Sequence, residues 1–395
     1  MTFAALKRSV ARGTAALPAH QSGLAIAVAL LIASAGASTA QETILEREFS
    51  NAAVMGQTDV GISKGSVVIA PIPFSNPMIE HGLTLGAGYL FNLPGSKPSG
   101  AGIAALKTSN GSEGIGGGFN VNFADGLWSV GLIGGEATLF YDFPLSNTAD
   151  LPLKQTGKLY AFTVSRAVNS KLSAGVSLSY LDSTLGLDVP GFEDLPPILR
   201  PDANVTVGKI NIHAAYDTRD DTFFPTQGAL IKGSLAYGEE LDAIFDGEIP
   251  VIDRHYSKGV ASASRYAPLG KNGILAANAS ICGASDSAPF FDGCGVGMAN
   301  GLRGFGTLDD LASWSAGAQV EYRGRLTERI GYVGFAGLGI GGDTFADMSL
   351  DQGGFAAGFG LRYRISKQFG LDYAIDYARN DAQEEFLYIT LGQRF

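Results

Sequence analysis

"LRYRISKQFGLDYAIDY", residues 361–377, alternates along its length. Leu361, Tyr363 and Ile365 fall on one side and Arg362 and Arg364 on the other. After the polar "SKQ", Leu371, Tyr373, Ile375 and Tyr377 fall opposite Asp372, Ala374 and Asp376. Residues two apart share a face in a strand but not in a helix, so the pattern predicts two strands joined by a tight turn. "GKINIHAAYD", residues 208–217, behaves in the same way: Ile210, Ile212, Ala214 and Tyr216 lie opposite Lys209, Asn211, His213, Ala215 and Asp217.

Working outward from these stretches, period two dominates everything after Gly65. It predicts about sixteen strands, from Ser66–Phe74 to Glu384–Phe395, many with the roughly 9 to 11 residues that a tilted membrane strand needs. A soluble sandwich also alternates, so strand length and loop asymmetry decide between the two. Most connections from even to odd strands are short, as at "DG" (125–126), "VNSK" (168–171) and "SKQ" (366–368). Many from odd to even strands are long: 184–204, 239–252 and 284–312. Short turns on one side and long loops on the other are the pattern of an outer-membrane barrel. "DTRDDTFFPTQG", residues 217–228, departs from it as a longer connection on the short-turn side. A bilayer tolerates no unpaired backbone, so a membrane sheet must close on itself. The fold class expected is therefore all-β: a transmembrane antiparallel β-barrel. Gly334, Gly337, Gly339, Gly358 and Gly360 fit tight curvature or room for a packed loop.

The chain has 395 residues and a formal net charge of −10. It opens with Lys7, Arg8 and Arg12, continues with the apolar run Leu24 to Ala33, and reaches small residues ending at Ala40. This is the grammar of a secretory signal peptide over 1–40, and the run is too short for a spanning helix. Residues 41–65 then form a short N-terminal extension, and 66–395 the barrel. Removing 1–40, which holds three basic and no acidic side chains, takes the net charge to −13. Such acidity argues against nucleic acid, whose binding rests on basic groups. Cys282 and Cys294 in an exported chain suggest one disulfide closing a short loop; a metal site lacks a neighbouring histidine, and free thiols are the remaining alternative.

Several motifs do not carry chemistry. "GLGIGG" at Gly337 to Gly342 lies within a strand and its loop, whereas a dinucleotide site needs a strand leading into a helix. "GISKG" at Gly61 to Gly65 lacks the elbow that exposes a nucleophile. His81, His213 and His255 have no metal-ligand spacing, and no nucleophile with an orienting partner is evident. No enzyme activity, cofactor or metal is expected.

"GLRGF", Gly301 to Phe305, in the loop between the eleventh and twelfth strands, resembles the Arg-Gly-aromatic signature of the BamA/TamA outer-membrane assembly barrels. "YDTRDDTFFPTQG", residues 216–228, is similar to that family's turn between strands eight and nine. "LYITLGQRF", residues 387–395, is similar to its last strand, with Phe395 as a terminal recognition signal. "PIPFSNP" at 71–77 and "APFFDGCG" at 288–295 look like short members without periplasmic POTRA domains.

The resemblance implies a long loop folded into the lumen, with Arg303, Gly304 and Phe305 as a latch on an inner-wall carboxylate. The alternation in "SAGAQVEYRGR", residues 315–325, places Gln319, Glu321, Arg323 and Arg325 inside and Val320 and Tyr322 toward lipid, so Glu321 is the expected partner. A bidentate guanidinium–carboxylate contact fixes geometry better than lysine could. The family's aspartate two residues after a phenylalanine on strand thirteen is absent, since Phe335 is followed by Ala336 and Gly337; Asp372 and Asp376 are candidate substitutes. The disulfide would brace the base of this loop.

The resemblance also implies a lateral seam between the first and last strands, marked by Pro71, Pro73, Gly392 and Phe395. Proline lacks a backbone donor, which weakens such a seam. The implied function is assistance to insertion or translocation of proteins at the bacterial outer membrane. Its partners would be outer-membrane lipids, unfolded outer-membrane protein substrates and a separate periplasmic delivery factor. The alternatives are a plugged channel or structural barrel passing small solutes, and secretion of one dedicated partner.

Overall fold

The computed structural model describes residues 61–395 apart from 77–78, 97–98, 147–148, 190–201, 222–223, 246–248, 252–254, 271, 299–300, 307–310 and 367–370. The expected signal peptide, and the extension up to residue 60, lie outside the described residues.

Among the described residues, sixteen strands carry the barrel. They are β1 (Ser66–Asn76), β2 (Glu80–Phe91), β3 (Ser99–Thr108), β4 (Glu113–Phe123), β5 (Trp128–Ser146), β6 (Ala149–Ala167), β7 (Leu172–Leu187) and β8 (Ala203–Asp217). They continue as β9 (Gly228–Phe245), β10 (His255–Leu269), β11 (Gly273–Ala284), β12 (Trp314–Arg325), β13 (Ile330–Gly342), β14 (Ser349–Ser366), β15 (Leu371–Asn380) and β16 (Glu385–Leu391). Each pairs antiparallel with the next. β16 returns to lie beside β1, but among the described residues no ladder joins the two, so the barrel is nearly closed.

The alternation sorts side chains as expected for a wall between lipid and an interior. On β8, Ile210, Ile212 and Tyr216 are exposed outward while Lys209 and Asn211 are buried. On β14 and β15, Leu361, Tyr363 and Ile375 are exposed, and Arg362, Asp372 and Asp376 are buried. Charged groups inside and apolar groups outside invert the arrangement of a water-soluble core, and only a surrounding hydrocarbon phase favours it. No helix is long and apolar enough to cross a membrane, which is a statement about helices alone.

Several strands are longer than the pattern predicts. β5 and β6 have 19 residues each and pair as one tall hairpin, where the sequence suggests that β6 begins at Gln155. The added residues stand at the end bearing the long loops, where no hydrocarbon enforces alternation, so the signal fades there while the ladder continues. β16 is shorter than predicted, with consequences described below.

Inside, a buried apolar cluster lines the wall between β3 and β8, including Leu106, Leu139, Leu159, Leu181 and Val207. Ala288 and Cys294, from the loop between β11 and β12, belong to the same cluster, so that loop packs against the inner wall.

Candidate functional site

The loop 285–313 is held at four places, each built from a different kind of chemistry. At its base Cys282, the last inward residue but one of β11, is bonded to Cys294 with their Cα atoms 5.8 Å apart, as the sequence suggests. The closed loop is short, and closing it removes unfolded-state freedom.

The second anchor is one that the sequence reading missed. Asp292 lies in a single helical turn, Phe290–Asp292, and reaches the neighbouring wall formed by β8 and β10. Its carboxylate accepts from Lys209 Nζ on β8 at 2.6 Å, from Lys258 Nζ on β10 at 3.3 Å and from the Tyr256 hydroxyl at 2.6 Å. Lys258 also donates to the Gly293 carbonyl at 3.0 Å. All four side chains are buried. Burial alone would push the Asp292 carboxyl up, but Lys209 and Lys258 outweigh it and hold it at about 2. One signal was present: Lys209 falls on the inward face of its strand, where a cation must find a counter-charge.

The third anchor is Arg303, which is fully buried. Its guanidinium donates to Glu321 on β12, the partner expected from sequence, and to Asp376 on β15 at 2.5 Å. Its plane sits 3.5 Å from the ring centroid of Phe335 on β13, a cation–π contact in a dry setting. Gln319 accepts from its main-chain N–H at 3.2 Å and donates to the Gly301 carbonyl at 2.8 Å. Burial would lower the Arg303 pKa, but Glu321 and then Asp376 raise it, so the charge is secure. Asp376 thus stands where the missing β13 carboxylate would act, reaching the guanidinium from two strands further round.

Around Arg303 the charges form a chain. Arg323 Nε donates to Glu321 at 2.6 Å, and Arg362 pairs with Asp376. Asp372, the other expected substitute, does not touch Arg303; it pairs with Arg325 and with Arg364, the latter at 2.6 Å.

Backbone fit is the fourth anchor. Gly304 has φ 95°, and a Cβ there would lie 2.4 Å from Ala356 Cβ on β14. Its N–H donates to the Tyr388 hydroxyl at 2.9 Å, and Phe305 packs with Val296, Leu302 and Ala356. The glycines of β13 make the room: a Cβ at Gly339 would meet Val296 at 2.2 Å, and one at Gly337 would meet Leu302 at 2.8 Å.

The expected last strand, Glu384–Phe395, needs correction. β16 ends at Leu391. Gly392, at φ 80°, turns the chain, and 393–395 leave the sheet for the interior. Gln393 is buried and donates to Asp372 at 2.8 Å. Arg323 donates to the Phe395 main-chain oxygen at 2.6 Å, and the Phe395 ring lies against Gly301. Phe395 is therefore a partner of the arginine loop rather than a seam residue. Of the four seam candidates, Pro71 and Pro73 sit on β1 with outward, exposed side chains, and Gly392 marks the point where the seam is abandoned. Among the described residues no cluster could hold a metal ion.

A family model described as the Omp85 superfamily domain matches residues 136–395. The chain belongs to the Omp85 superfamily. Solved structures agree on the fold. BamA from Haemophilus ducreyi lacking POTRA domains 1–3 matches with a TM-score of 0.53 at 15% identity, over 84% of this chain and 71% of that one. CdiB from Acinetobacter baumannii matches at 0.52 and 10% identity, over 88% and 67%. CdiB from Escherichia coli matches at 0.52 and 10%, over 89% and 70%. No curated protein matches the chain. The molecule is thus an Omp85-type barrel, similar in fold to BamA and CdiB.

Proposed function

We propose that this Omp85 barrel assists insertion of proteins into the bacterial outer membrane, by offering the edge of its unpaired seam to an incoming strand. The observation that carries this reading is the seam itself: among the described residues β1 and β16 run side by side without a ladder, and β16 has only seven residues. Unpaired edges template further strands. Pro71 and Pro73 share one parity, so both missing donors fall on the same side of β1, and proline within sheets belongs to edge strands. The loop 285–313, latched through Arg303 on Glu321 and Asp376, fills the interior beside the seam and keeps the lumen from serving as the route. The partners would be outer-membrane lipids, unfolded barrel proteins and a separate factor that delivers them.

Secretion of one dedicated partner is the second reading, and the equal fold likeness to BamA and CdiB favours neither. The test follows the folding rate of an unfolded barrel substrate in liposomes holding this chain, beside empty liposomes, an unrelated porin and the Arg303→Ala variant. Acceleration over both controls, weakened by Arg303→Ala, supports insertion. No acceleration moves the reading to secretion or to a plugged solute channel.

A further inference from the structure

The connection 218–227, between β8 and β9, is the long turn on the side of the short ones. Its shape is set from within. The Asp217 carboxylate accepts from Arg219 Nε at 3.0 Å and Nη2 at 2.9 Å. Asp220 accepts from the main-chain N–H groups of Thr226 at 2.9 Å and Gln227 at 3.1 Å, and from the Thr226 hydroxyl. Asp221 accepts from the Phe224 N–H at 2.9 Å. Gly228 closes the turn at φ 101°, where a Cβ would lie 2.2 Å from the Thr218 carbonyl oxygen. The carboxylates occupy backbone donors that would otherwise need water, which sets the shape of the described turn residues 218–221 and 224–227.

That turn carries Phe224 away from its own strands. The ring lies 4.7 Å from the Arg325 guanidinium on β12 and 5.2 Å from that of Arg364 on β14. In the sheet β10 and β11 stand between β9 and β12, and β13 stands between β12 and β14. The turn therefore reaches past the ends of β10 and β11 to the β12–β14 sector of the mouth. Its landing site is itself assembled: Asp372, fully buried on β15, draws both arginines together, and Phe224 lies against both guanidiniums.

We propose that the 218–227 turn is a strap across the periplasmic mouth, pinned by Phe224 between Arg325 and Arg364, and that it is a second closure in series with the loop 285–313. The two closures use separate arginines. Arg303 holds the loop through Glu321 and Asp376, whereas Arg325 and Arg364 hold the strap through Asp372. Removing the Phe224 ring breaks no contact of Arg303, Glu321 or Asp376.

The experiment places a reporter between them. Thr163 faces the interior of β6, bonded to Ser177 at 2.8 Å, and Thr163→Cys supplies the only free thiol because Cys282 and Cys294 are paired. The full chain is reconstituted in liposomes, and a membrane-impermeant maleimide is added on the turn side. Phe224→Ala is expected to speed labelling about tenfold. Phe224→Leu, which keeps apolar volume and the fold but offers no ring face, is expected to do the same; Phe224→Tyr, which keeps the ring, stays at the wild-type rate. Arg303→Ala leaves labelling from this side unchanged. Wild-type rates in both Phe224→Ala and Phe224→Leu, or equal acceleration by Arg303→Ala, would overturn the proposal. Heat-modifiable migration verifies folding of every variant.

Discussion

Glu321 and Arg303 form one ion pair, yet removing the carboxylate should cost more than removing the arginine. The buried network contains Arg303, Arg323, Arg325, Arg362 and Arg364 against Glu321, Asp372 and Asp376, an excess of two positive charges. Glu321→Gln raises that excess to three and leaves Arg323 with the Phe395 oxygen as its remaining strong acceptor, while its Nη1 already has none. Stranding a buried charge costs about 3–5 kcal/mol. Arg303→Met lowers the excess to one. Glu321 keeps Arg323, Asp376 keeps Arg362, and the main loss is the contact with Phe335, about 2 kcal/mol when desolvated. The midpoint of urea unfolding in vesicles, together with the rate of protease cleavage within 285–313, measures the difference. Glu321→Gln should fall well below Arg303→Met on both scales, and adding Arg323→Met to Glu321→Gln should recover about half of the loss. Equal losses, or no recovery in the double variant, would sink the charge-balance argument and make the site one of shape alone.

Asp292→Asn strands Lys209 and Lys258 and should free the first half of the loop for proteolysis while leaving the Arg303 contacts in place. Because Asp292 is held at about 2, below its ordinary 3.8, its contribution is full above about pH 4 and is lost as pH falls toward 2. A pH series of loop cleavage should show this step in the wild type but not in Asp292→Asn. Reducing the Cys282–Cys294 bond should cost about 3 kcal/mol of loop stability, read as earlier cleavage on heating. Replacing Pro71 and Pro73 together by valine restores two donors on β1, and should raise the unfolding midpoint while slowing substrate folding in liposomes. Gly392→Ala penalises the left-handed turn by about 1 kcal/mol and favours a longer β16; cross-linking between engineered cysteines on β1 and β16 should then become more efficient.

The wall of the barrel was legible because hydrocarbon on one side and charge on the other leave a period-two record: Ile210 against Lys209, Tyr363 against Arg362. The record fades where the wall rises beyond the membrane, so β5 and β6 are longer than their pattern. Glu321 was legible from the parity of one strand once Arg303 had been singled out. Asp292 was not, because its partners lie 34 and 83 residues away and no local spacing announces them. The inward turn of the chain end was hidden for another reason. "LGQRF" continues the alternation of β16, and only the left-handed backbone at Gly392 reveals that the strand has stopped.

The route of the chain end joins two features that the sequence treats separately. Had β16 run to Phe395, Gln393 and Phe395 would extend the seam; instead they bind Asp372 and Arg323, members of the network that fixes the loop. Arg362 links the two halves, pairing with Asp376 and donating to Gln393 at 3.3 Å. Withdrawing the chain end to form a ladder across the seam must therefore release Arg323, whose partner Glu321 also holds Arg303. Linkage then runs in both directions: a tightly latched arginine loop favours a short β16 and an unpaired seam, and a fully zipped seam weakens the latch by the same free energy. On the insertion reading proposed above, the arginine network would set how readily the barrel edge is offered.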